Sequence, residues 1–126
     1  MTDVNTANKL NKLIEFTDKS LLIVDDDNPF RERLARAMEK KGFIVTQAEG
    51  VKAGIASVKV KKPAFAVVDL RLGDGNGLEV VKEIQGLNIK SRIIMLTGYG
   101  NISTAVAAIK QGAIDYLAKP ADADDV

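Results

Sequence analysis

The sequence predicts an α/β domain with a doubly wound, five-stranded parallel sheet and helices on both of its faces. Apolar runs of four to six residues recur along the chain, as buried parallel strands do. Amphipathic stretches with apolar residues at helical spacing separate them. A length of 126 residues with 46% hydrophobic content fits one core and one domain.

Met1 to Lys19 form a polar N-terminal arm whose apolar residues are Leu10, Leu13, Ile14 and Phe16, with the domain proper spanning 20–126. Leu21 to Val24 is the first apolar run and leads into Asp25-Asp26-Asp27. Asn28-Pro29 opens the first helix, Asn as a good N-cap and Pro in the first helical position. Phe30, Leu34, Ala37, Met38 and Lys41 continue it at helical spacing, and Gly42 is a suitable stop. Phe43 to Ala48 reads as the second strand. Val51, Ile55 and Val58 mark a second helix, which ends before Lys62-Pro63 because a residue preceding proline disfavours the α region.

Ala64 to Asp69 is the third run, and Gly73-Asp74-Gly75-Asn76-Gly77 follows it as a turn. This glycine-rich stretch lacks the Gly-Lys-Ser/Thr ending of a nucleotide loop. Leu78, Val81 and Ile84 carry a third helix, and Arg92 to Thr97 a fourth strand. Ile102, Ala105, Val106 and Ile109 carry a fourth helix, stopped at Gly112, and Ala113 to Ala118 is the fifth strand. Right-handed crossovers and a strand order of 2-1-3-4-5 place the first and third strand ends side by side at the switch point. Asp122, Asp124 and Asp125 read as the acidic first turn of a fifth helix that is cut short at Val126.

Composition removes several classes of function. The net charge is +1, so no basic surface for direct nucleic-acid binding is expected. The chain has no cysteine and no histidine, which excludes disulfides and thiolate chemistry and puts any phosphohistidine on another protein. No apolar stretch approaches a membrane span or a signal-peptide core, so a soluble cytoplasmic protein is expected.

Polar residues end four of the apolar runs: Asp25 and Asp26, Asp69, Thr97, and Lys119 before Pro120. Ligands bind at the carboxyl ends of strands in such sheets, so these groups converge. Carboxylates a few ångströms apart repel by about 4 kcal/mol per pair at an effective dielectric near 20, and need protonation, a cation or Lys119 to compensate. Mg²⁺ suits the site, because it takes one or two carboxylates, keeps waters and favours phosphate oxygens. Asp69 is then the nucleophile, and Thr97 and Lys119 contact the oxygens of the transferred phosphoryl group.

In these residues the chain, from 20 to 126, resembles the receiver domains of two-component response regulators, whose fold is a flavodoxin-like, three-layer (βα)5 arrangement. The resemblance implies that Asp25 and Asp26 are the acidic pair, Asp69 the phosphorylated aspartate, Thr97 the hydroxyl switch residue and Lys119 the lysine of the motif. It further implies Mg²⁺ held by Asp26, Asp69 and the backbone carbonyl of Arg71, with Asp25 acting mainly through water. Tyr116 falls at the switch aromatic, and Lys119-Pro120 at a cis peptide. Asp69-Leu-Arg-Leu, Leu96-Thr-Gly-Tyr-Gly-Asn101 and the stretch from Asp115 to Asp125 are similar to the RegA/PrrA/ActR group of redox-responsive regulators. Members of that group carry a C-terminal helix-turn-helix output domain, so an excised receiver fragment is expected.

By the same resemblance, a sensor histidine kinase is the phosphoryl donor and phosphorylation shifts a two-state equilibrium at Thr97 and Tyr116. Arg71 and Tyr99 flank the site and are candidates for control of water access. Receivers commonly dimerise through the fourth helix, fifth strand and fifth helix; an incomplete fifth helix implies a homodimer or altered association there. For Asn8 to Phe16 a disordered or simply flanking arm is expected, with a short helix covering the gap as the alternative. A stand-alone receiver serving as phosphorelay intermediate or phosphate sink is the alternative. A phosphoaspartate hydrolase of the haloacid-dehalogenase type is disfavoured, because Arg71 stands where such enzymes place an acid/base Asp or Thr. Beyond its own phosphorylation and dephosphorylation, no enzymatic activity is expected.

Overall fold

The computed structural model describes residues 18–87, 91–97 and 115–118. Five strands form one parallel sheet: β1 (Ser20–Val24), β2 (Ile44–Ala48), β3 (Phe65–Asp69), β6 (Arg92–Thr97) and β7 (Asp115–Ala118). Their order is β2-β1-β3-β6-β7, which is the expected 2-1-3-4-5. Between β3 and β6, the short strands β4 (Arg71–Leu72) and β5 (Gly75–Asn76) pair antiparallel. The helices among the described residues are α1 (Asn28–Lys40), α2 (Val51–Val60) and α3 (Leu78–Gly86). The expected fourth helix, the fifth helix, Tyr99, Lys119-Pro120 and residues 1–17 of the arm lie outside the described residues, as do the side chains of Thr97 and Tyr116.

Strand alternation divides the core between the two faces of the sheet. Leu22 and Val24, Ala66 and Val68, and Ile93 and Met95 point to one side, where Val58 of α2 and Val80, Val81 and Ile84 of α3 pack on them. Leu21 and Ile23, Val67 and Leu96 point to the other, under Phe30, Leu34, Ala35 and Met38 of α1. Both faces of β1 are therefore covered, and all five of its residues are buried. Each fully buried Val, Leu or Ile contributes about 1.5–3 kcal/mol, so the strand ends project from a rigid frame. Edge strand β2 differs: only Ala48 of its five residues is buried, and Ile44 is 63% exposed.

Two local expectations change. Asp27, not Asn28, is the N-cap of α1; its side chain accepts the N–H of Phe30 at 3.1 Å. Asn28 enters the first turn instead, where its side-chain oxygen accepts from Arg31 Nη1. In the stretch from Gly73 to Gly77, expected as a turn, Gly73-Asp74 is the turn and Gly75-Asn76 form β5, which pairs back on β4 with Arg71 opposite Asn76 and Leu72 opposite Gly75. Leu72 is buried in the core, which draws this ribbon onto the domain. Gly42 does end α1, with φ of 96°, a left-handed conformation that other residues adopt at a cost.

Candidate functional site

Register determines what meets at the carboxyl edge of the sheet. Val24, the last residue of β1, pairs with Val68 of β3. Asp25 therefore leaves β1 beside Asp69, the last residue of β3. Carboxylate oxygens of Asp25, Asp26 and Asp69 all lie within 4.8 Å of one another. Asp25 is fully buried, Asp69 is 5% exposed, and Asp26 faces solvent. Thr97 ends β6 next to β3 and pairs with Ala118, so the backbone carries Thr97 and the residue before Lys119 to the same edge.

Hydrogen bonds anchor the acidic loop on every side. The N–H of Asp25 donates to the Ala48 carbonyl at 3.1 Å, and that of Asp27 to Asp25 Oδ1 at 2.9 Å. The Asp27 carbonyl accepts the N–H of Arg31 at 2.9 Å. Asp27 is thus committed to the helix start, and Asp25 and Asp26 are the members of the triplet that face Asp69. The loop also sits at the N-terminus of a thirteen-residue helix, whose dipole favours negative charge. At this spacing each carboxylate pair repels by roughly 3–4 kcal/mol at an effective dielectric near 20. An all-oxygen donor set of this charge fits a hard divalent cation.

Arg71 follows β3 in β4, its side chain exposed and its N–H donating to Asp69 Oδ1 at 3.3 Å. Gly77 lies against the other side of the strand end. Its N–H donates to the Leu70 carbonyl at 2.8 Å, and a Cβ there would collide with the Asp69 carbonyl oxygen.

Two residues at this edge escape a reading by pattern. Arg31 is buried, although it lies within the charged segment Arg31-Glu32-Arg33. Its one available signal is position: it follows Asp27 by four residues, on the face that α1 turns inward. Asp74, at the tip of the β4–β5 hairpin, accepts N–H groups from Val51 at 2.7 Å and Lys52 at 3.2 Å. It caps α2 from across the fold, since the local N-cap is Gly50. These bonds hold the Asp74 carboxyl below the usual carboxylate range, the Val51 N–H contributing most.

Comparison with known proteins agrees with this architecture. The profile of the response regulator receiver domain matches residues 21–126. The acid tolerance regulatory protein ActR of Sinorhizobium medicae is 64% identical over 109 residues, 86% of this chain and 56% of ActR. The photosynthetic apparatus regulatory protein RegA of Rhodobacter capsulatus is 62% identical over 110 residues, 87% of this chain and 60% of RegA. This chain thus spans somewhat over half the length of the curated relatives it matches. Among solved structures, a response regulator from Burkholderia pseudomallei, crystallised with a phosphorylated aspartic acid, calcium ion and citrate, superposes with a TM-score of 0.79. It is 41% identical and covers 86% of this chain and 64% of its own. With its sheet order, its acidic edge and these matches, the chain belongs to the response regulator receiver domain family.

Proposed function

We propose that this domain accepts a phosphoryl group on Asp69 from the phosphohistidine of a sensor kinase and relays that state to an output domain in a longer protein. The observation that carries the reading is the meeting of Asp25, Asp26 and Asp69 within 4.8 Å at the β1/β3 switch point. In the transfer, an Asp69 carboxylate oxygen forms the new bond to phosphorus. The bond from phosphorus to the histidine nitrogen breaks, and the imidazole keeps that electron pair. Asp26, Asp69 and the carbonyl of Arg71 would hold Mg²⁺, and Asp25 would act through water. When bound, the cation offsets charge on the carboxylates and on the phosphoryl oxygens.

The remaining roles fall to residues around this edge. Thr97 donates to a phosphoryl oxygen, Lys119 pairs with another, and Tyr116 responds to the movement of Thr97. The regulatory names of ActR, RegA and the 36%-identical transcriptional regulatory protein FixJ of Rhizobium meliloti support a transcriptional output. The phosphoaspartate and calcium ion in the Burkholderia relative support the acceptor chemistry.

Incubation with phosphoramidate and Mg²⁺, followed by intact-mass spectrometry, tests the assignment. The wild type gains one phosphoryl group, lost on treatment with hydroxylamine, whereas Asp69→Asn gains none. Equal Mg²⁺-dependent labelling of both proteins would overturn it.

A further inference from the structure

Arg31 is a buried cation that the acceptor chemistry leaves without a task. Its side chain rises from the first turn of α1 and is 6% exposed. Nη1 donates to the backbone carbonyl of Asp25 at 2.8 Å and to Asn28 Oδ1 at 2.6 Å, and Nε donates to Gln47 Oε1 at 3.0 Å. The guanidinium therefore joins the acidic loop, the start of α1 and the edge strand β2.

Burying a guanidinium is costly, and an apolar side chain of similar volume commonly serves stability as well or better. What an apolar residue could not do is hold the peptide between Asp25 and Asp26. The N–H of Asp25 is already tied to Ala48. With its carbonyl tied to Arg31, the peptides on both sides of Asp25 are held in orientation. The second of them carries Asp26, the exposed carboxylate of the cluster. Asp26 thus has a restrained backbone under a solvent-facing acid.

We infer that Arg31 is a positioning residue, holding the Asp25–Asp26 peptide so that the carboxylates receive a divalent cation together with Asp69. The inference rests on the proposed Mg²⁺-dependent acceptor role of the site. Charge and positioning predict opposite signs. A cation beside a cation site repels Mg²⁺, so if charge alone mattered, removing Arg31 would tighten binding. If Arg31 positions the loop, removal weakens it, as loss of a residue supporting metal ligands commonly does by 10–100-fold. Lysine keeps the charge but lacks the planar fork that reaches several acceptors at once.

The experiment is isothermal titration of metal-free protein with MgCl₂ for the wild type, Arg31→Met, Arg31→Lys and Gln47→Ala, with melting temperatures measured on the same samples. We expect Mg²⁺ to bind about tenfold more weakly to Arg31→Met. Arg31→Lys should lie between it and the wild type, and Gln47→Ala should shift slightly in the same direction. In metal-free Arg31→Lys, the Asp27 amide should exchange with solvent faster than in the wild type. Should Arg31→Met not fold, Arg31→Lys and Gln47→Ala decide, because they keep the volume and the exposed edge respectively. Mg²⁺ affinity unchanged or tightened across the folded variants overturns the inference while leaving the acceptor reading in place. A wild type that takes up no Mg²⁺ overturns both.

Discussion

A methyl group on Gly77 would meet the backbone carbonyl of Asp69, the residue whose side chain is the proposed acceptor. Helix α3 starts at the next residue, so Gly77 sets how closely the helix approaches the end of β3. Gly77→Ala should lower stability by about 1–3 kcal/mol, as overpacking does, and reduce labelling of Asp69 as the strand end shifts. Urea denaturation with the labelling assay checks this; an unchanged midpoint would mean that α3 can swing away freely. The same scale shows how far residue types can be read. Asp25, Asp26 and Asp69 declared themselves as acids at the ends of apolar runs. Arg31 did not, since a charged residue among charged neighbours looks solvated until α1 is docked and its face is known.

The N-cap of helix α2 is Gly50, which has no side chain to satisfy the first N–H groups, and Asp74 supplies the cap from the β4–β5 hairpin. This contact couples the ribbon that follows β3 to helix α2. Because the folded state depresses the Asp74 pKa, its contribution is present above the unfolded carboxylate pKa, near 3.9, and is lost as pH falls through the lower folded value. Asp74→Ala should therefore melt below the wild type at neutral pH, with the gap closing under strongly acidic conditions. Differential scanning calorimetry at several pH values measures it, and a gap independent of pH would show that the charge is immaterial. Among the described residues, helix identities and the strands of the five-stranded sheet were legible from periodicity. The β4–β5 hairpin and the N-cap of α1 were not, because hairpin pairing depends on Leu72 finding the core, and the cap depends on which carboxylate is left over from the acidic site.

Over the whole domain, the acidic edge costs stability. Three carboxylates within 4.8 Å repel one another when no cation is present, and a bound cation reverses that. Asp26→Asn should consequently raise the melting temperature of metal-free protein. Saturating Mg²⁺, at about 100 times its Kd, should stabilise the wild type by about 2.7 kcal/mol, or roughly 10 °C, and Asp26→Asn by much less. Thermal melts with EDTA and with MgCl₂ test both; equal Mg²⁺ shifts in the two proteins would remove Asp26 from the site.

Taken alone, the sequence determined the alternation of strands and helices, the sheet order and the acids that lie at strand ends. Those follow from local periodicity and from the few topologies a parallel sheet permits. Tertiary structure alone decided that Asp27 serves the helix rather than the acidic cluster, that Arg31 lies buried behind Asp25, and that Asp74 caps a helix beginning 23 residues before it. Each of these depends on the distance from a side chain to a backbone group. Such distances are set only when the two faces of the sheet close around one core.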